Sequence, residues 1–111
     1  MTNIDTQHKD TREQQIRAML IQTMRANTNR LGGRQVVLFG SRAQGKGKAK
    51  PRSDFDLGVV GDTPLPLVDF FAIEDMLNEL PTLYRIDWVD LARVSERFRS
   101  QALQKVEVIY E

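Results

Sequence analysis

The 111-residue chain has no cysteine. That excludes a disulfide framework and thiolate metal sites, and it fits a cytoplasmic protein. The single histidine, His8, sits in a polar stretch near the start, so histidine acid–base chemistry and histidine-rich zinc sites are not expected. No apolar run approaches about 18 residues, so no membrane span is predicted. The first ten residues, with Asp5, His8, Lys9 and Asp10, lack the apolar stretch of a signal peptide. Charge of one sign is not in excess either. Sixteen Lys and Arg stand against 15 Asp and Glu, a net charge of +1, so the overall balance makes no case for nucleic acid as a partner. What remains is an ordinary globular composition, 41% hydrophobic and 28% charged. The length predicts one domain, able to bury roughly 65% of its unfolded surface without staples.

Residues 1–9 are polar and read as a flexible tail before a single domain over 10–111. Asp10-Thr11-Arg12-Glu13 has capping-box spacing. Ile16, Met19, Leu20 and Met24 follow at helical spacing as one core-facing stripe. Asn27, Asn29, Gly32 and Gly33 end this helix. Val36 to Phe39 predicts a short strand buried on both faces, and Ser53 to Val60 a second strand. Phe70, Ile73, Leu77 and Leu80 step by three and four through a second long helix closed by Pro81. Phe71 and Met76 widen its apolar face, and Glu74, Asp75 and Glu79 take its solvated side. Tyr84 to Leu91 alternates as a third strand, with Trp88 in the core and Asp90 a surface residue at the strand end. Ser95 caps the last helix, whose inner face carries Phe98, Ala102 and Val106. Val106 to Tyr110 suits either helix or strand. The fold class is α/β (α+β): a small mixed sheet of three main strands flanked by about four helices.

Four features in this order carry chemistry. Gly40 and Ser41 follow the first strand. Glycine admits close approach of a ligand, and a serine N-cap with a helix start offers N–H groups to phosphate; the same dipeptide also serves a plain strand-to-helix turn. Arg42, Lys46, Lys48, Lys50 and Arg52 then place five positive charges and no acid in eleven residues, an anion patch or a solvated loop. Asp54 and Asp56 share one face of the second strand. Two carboxylates there repel unless a divalent cation relieves them, and hard oxygen ligands suit Mg²⁺ or Mn²⁺. The alternative is a turn running into the strand, with Asp54 capping the loop. Asp87 lies on a strand face with no other acid of its own strand. It needs a cation, a metal or a hydrogen-bond network, and Arg85, two residues away on the same face, could supply a plain salt bridge.

Phe39-Gly40-Ser41-Arg42 through Ser53-Asp54-Phe55-Asp56-Leu57 to Ile86-Asp87-Trp88-Val89-Asp90-Leu91 resembles the minimal nucleotidyltransferases (MNT proteins) of the DNA polymerase β-like superfamily. The similarity runs from the first helix into the Phe98–Arg99 region. It implies that Gly40, Ser41 and Arg42 bind the phosphates of ATP. It implies that Asp54, Asp56 and Asp87 hold two Mg²⁺ ions and act as the catalytic residues, Asp87 also helping to deprotonate the acceptor hydroxyl. It further implies a HEPN-domain partner in a toxin–antitoxin pair, with this chain as an antitoxin that transfers AMP to a HEPN tyrosine. The alternative is a non-catalytic module that neutralises such a partner by covering it. The spacer between Ser41 and Asp54, 12 residues, is slightly longer than the family pattern, and the extra length falls in the Lys46–Arg52 loop. The chain ends after one C-terminal helix, so a bound partner is expected to complete the site. Nucleic acid is an unlikely partner, because the basic loop interleaves no aromatic residue.

Overall fold

A computed structural model describes residues 4–40 and 55–111. Helix α1 spans Ile4–Ala26, beginning ahead of the capping-box residues. Its stripe Ile16, Leu20, Met24 is buried, one residue per turn on one face. A short helix α2, Thr28–Leu31, follows and is capped by Gly32. Asn27 between them is not merely a helix stop. It is 1% exposed, and a buried amide needs partners. Its Nδ2 donates to Thr23 O at 2.7 Å and meets Met76 Sδ at 3.2 Å, and its Oδ1 accepts from Arg30 at 3.0 Å.

Strand β1 is Gln35–Phe39 and β2 is Phe55–Val60. Helix α3, Leu67–Asn78, then crosses to β3, Ile86–Asp90. Helix α4 is Glu96–Ala102, and β4 is Glu107–Tyr110. The sheet order is β3-β2-β1-β4. β1 runs antiparallel to β2 and β4, and β2 runs parallel to β3. A parallel pair cannot be joined by a hairpin, so the long α3 connection is what this pairing requires.

The alternation of each strand divides the sheet. One face carries Val36, Leu38, Phe55, Leu57, Val59 and Trp88, all buried in one core with Leu20, Met24, Ile73 and Leu77 of α1 and α3. Burying each such side chain contributes about 2 kcal/mol. Trp88 lies in the core as expected. Its indole N–H donates to Phe70 O at 3.1 Å, and its ring stacks on Phe70 at 5.6 Å, which docks α3 on β3. The opposite face carries the rows Val37–Gly58–Val89 and Phe39–Asp56–Asp87. A Cβ at Gly58 would lie 2.7 Å from Leu91 Cδ1 and 3.3 Å from Phe39 Cε1, so glycine makes room for those two side chains to cross the strand.

Three expectations change. The tail that suited helix or strand is strand β4, a fourth strand beside β1, with Val37 opposite Val108 and Leu38 opposite Glu107. Ile109 is its buried anchor. Asp90 is not a surface residue. Its side chain is 3% exposed, it accepts from Leu65 N at 2.7 Å and Ala92 N at 2.9 Å, and Arg93 lies 3.5 Å away. Helix α4 buries none of its residues; Phe98, expected on the inner face, is half exposed and meets Phe39 edge-on at 6.1 Å.

Candidate active site

The site forms where β1 ends and β3 begins to run alongside β2. β1 passes into Gly40, whose φ is 76°, a left-handed conformation that side chains disfavour. A Cβ at Gly40 would collide with the Asp56 carboxylate. Glycine is therefore what lets the end of β1 lie directly against Asp56.

Asp56 stands opposite Phe39 on one side and Asp87 on the other. Residues in register on neighbouring strands share a face, and the strands lie roughly 4.8 Å apart. Asp87 thus has the acidic neighbour that its own strand lacks. Both carboxylates are half-buried. Arg85 Nε approaches Asp87 Oδ1 at 3.4 Å, so the local ion pair also exists, but the Arg85 side chain is 76% exposed. Such an exposed pair is worth about 1 kcal/mol at most. Both donors are hard oxygens, which fits Mg²⁺ or Mn²⁺.

The cleft over this pair has a volume of about 640 Å³. Phe39, Asp56, the run from Arg85 to Val89, Glu74 and Asn78 of α3, and Phe98 of α4 line it. Of the predicted residues, Gly40, Asp56 and Asp87 come together. Asp54, Ser41, Arg42 and the Lys46–Arg52 loop lie outside the described residues. Among the described residues no group of three metal-ligating side chains forms, so a third carboxylate would have to come from Asp54. Sequence reasoning missed Glu74, Asn78 and Phe98 as cleft residues. The i, i+4 spacing of Glu74 and Asn78 puts them on one helix face, but nothing local says that this face borders the carboxylates. A second cavity, about 510 Å³ between α1 and residues 81–84, has no carboxylate in its lining.

Paired carboxylates thus lie beside a glycine at a strand end, on a mixed sheet with a parallel β2–α3–β3 crossover. The family model described as Polymerase beta, Nucleotidyltransferase matches residues 20–111, and the chain belongs to that family. Among curated proteins it is similar to the probable protein adenylyltransferase MntA of Haemophilus influenzae, with 37% identity over 76 residues, 68% of this chain. The chain spans 64% of the length of that relative. Solved structures that share the fold include the following two. One is a toxin–antitoxin with AMP-PNP, with a TM-score of 0.62 and 22% identity over 85% of this chain and 72% of that one. The other is a tri-AMPylated Shewanella oneidensis HEPN toxin in complex with MNT antitoxin, with a TM-score of 0.61 and 19% identity over 87% of this chain and 71% of that one. No helix among the described residues is long and apolar enough to cross a membrane.

Proposed function

We propose that this chain is a Mg²⁺-dependent nucleotidyltransferase that moves AMP from ATP to a hydroxyl, a tyrosine side chain, of a HEPN-domain partner, and so acts as the antitoxin of a toxin–antitoxin pair. The observation that carries the reading is the register of Asp56 opposite Asp87, with the end of β1 pressed against Asp56. Similarity to a protein adenylyltransferase and to toxin–antitoxin structures supports it.

Asp56 and Asp87, with Asp54, would hold the metal. When bound, Mg²⁺ supplies charge neutralisation to the triphosphate and to the departing pyrophosphate. The chain's own residues do the rest. Gly40 lets the end of β1 lie against the Asp56 carboxylate, and Ser41 and Arg42 are the proposed phosphate donors. The acceptor oxygen attacks the α-phosphorus of ATP in line. The new O–P bond forms as the bond from the α-phosphorus to the bridging oxygen breaks, and pyrophosphate leaves. The hydroxyl proton passes to the Asp87 carboxylate and from there to water.

The test is the intact mass of the HEPN-domain protein after incubation with this chain, ATP and Mg²⁺. A gain of one or more AMP units is expected, and it is expected to vanish when Mg²⁺ is chelated. A stable complex with no mass change would replace this reading with neutralisation by binding alone.

Gly40→Ala is expected to damage the same step. Its left-handed φ costs an L side chain about 1–2 kcal/mol, and the added methyl must displace Asp56. Transfer is expected to fall by about tenfold to a hundredfold, since a 1 Å misplacement can cost that much. Urea unfolding should register only the backbone cost. Unchanged transfer rates in this variant would separate Gly40 from the site.

A further inference from the structure

The active cleft is lined by every residue from Arg85 to Val89. Side chains alternate between faces along a strand, so consecutive residues border one cavity only where it runs along the backbone edge. Among the described residues β3 is such an edge, paired with β2 alone.

The hydrogen bonds identify which backbone groups face outward. Phe55 N–H donates to Arg85 O at 2.8 Å, and Leu91 N–H donates to Val59 O at 3.0 Å. The N–H and C=O of one strand residue point to the same side. Residues 85, 87, 89 and 91 therefore address β2, and Ile86 and Trp88 turn their N–H and C=O to the open side. Among the described residues no backbone group bonds to them there. Glu74 and Asn78 of α3 and Phe98 of α4 border the same opening.

Resting on the transferase reading above, we infer that the β3 edge binds the acceptor polypeptide as an added strand. An extended segment of the partner pairs with Ile86 and Trp88 and places its hydroxyl-bearing residue opposite Asp87. Strand addition to a free edge draws its affinity from main-chain hydrogen bonds and its selectivity from alternate side chains. Here the register carries the chemistry. Residues in one cross-strand row share a face, with Cβ atoms roughly 4.5–5.5 Å apart. The row Phe39–Asp56–Asp87 would continue into the added strand, so the side chain opposite Asp87 emerges beside both carboxylates. A slip of one residue would turn that hydroxyl to the far side of the sheet. Glu74 at the border of the groove favours a segment with a basic residue near the acceptor. β4, the other sheet edge, is separated from Asp87 by β1 and β2, so a strand added there would not extend this row next to Asp87.

The test uses amide exchange, read residue by residue by NMR, on the intact chain with and without the HEPN-domain protein of the mass assay. The amides of Ile86 and Trp88 are expected to slow by about tenfold or more on mixing. Ile86→Pro removes only an outward N–H, a change that edge strands tolerate. It is expected to lower transfer by about tenfold or more while ATP affinity stays within about twofold. Transfer by the wild-type chain with Ile86 and Trp88 unprotected, or wild-type transfer rates in Ile86→Pro, would overturn the docking mode and leave the transferase reading intact. Protection of both amides without any transfer would support the docking mode and overturn the transferase reading. Neither protection nor transfer would overturn both.

Discussion

Asp56→Asn is expected to lower AMP transfer by about a thousandfold or more while leaving the fold in place. The substitution keeps the side chain's size and removes its charge. Among the described residues, Asp56 lies against the end of β1 at Gly40 and shares one cross-strand row with Phe39 and Asp87. On the proposed reading the pair holds a metal, and losing one ligand removes several kcal/mol of transition-state stabilisation; each 1.36 kcal/mol is about tenfold in rate. Stability should move the other way, because like charges in one cross-strand row repel; a rise of up to about 1 kcal/mol in urea unfolding is expected. Asp87→Asn should behave similarly, and the double variant should be little worse than either single one, since residues that act as a unit are not additive. Initial rates with ATP and Mg²⁺, read beside urea unfolding, separate the two effects. A rate within about tenfold of wild type in Asp56→Asn would remove Asp56 from the chemistry.

Asp90→Ala is expected to cost about 2–6 kcal/mol of stability, the sum for two backbone donors left unmade at about 1–3 kcal/mol each. The carboxylate is buried, and its two oxygens accept from Ala92 N and Leu65 N, so it ties the end of β3 to the residues that lead into α3. Truncation strands two backbone donors, each costing about 1–3 kcal/mol when left unmade, and deprives Arg93 of its partner. Against a typical total of about 5–15 kcal/mol, that loss is enough to unfold a marginal domain. Asp90→Asn keeps one acceptor and should cost about half as much. Arg93→Ala should cost about 1 kcal/mol or less, because that side chain is 43% exposed. Urea midpoints of the three variants give the ranking. A loss below about 1 kcal/mol in Asp90→Ala would show that the carboxylate is not a structural tie.

Much of this was legible in the order of residues. Ile16, Leu20 and Met24 announced α1 because helical burial repeats every 3.6 residues. The apolar run at Val36–Phe39 and the alternation around Phe55 and Trp88 announced three strands for the matching reason at period two. Asp56 and Asp87 were singled out because carboxylates on a strand face are costly without a partner, and Gly40 because glycine at a strand end admits close approach of a ligand. Asp90 was misplaced. Its side of the strand was right, but the burial of that side comes from the chain at Leu65, 25 residues away, and no local pattern reports it. β4 was left open for the same reason: four residues at the end of the chain become a strand only because β1 lies beside them.

By itself, then, the sequence determined the two long helices and the first three strands, the apolar face of each, and which carboxylates and glycine are candidates for phosphate chemistry, because periodicity and residue type are local properties. Only the tertiary structure decided that β3 lies parallel beside β2, that Asp56 and Asp87 meet in one row, and that the outer edge of that row borders an open cleft. Strand neighbours and register are set by packing across the whole sheet, and a one-residue slip in either would leave every local pattern unchanged while carrying one carboxylate to the other face.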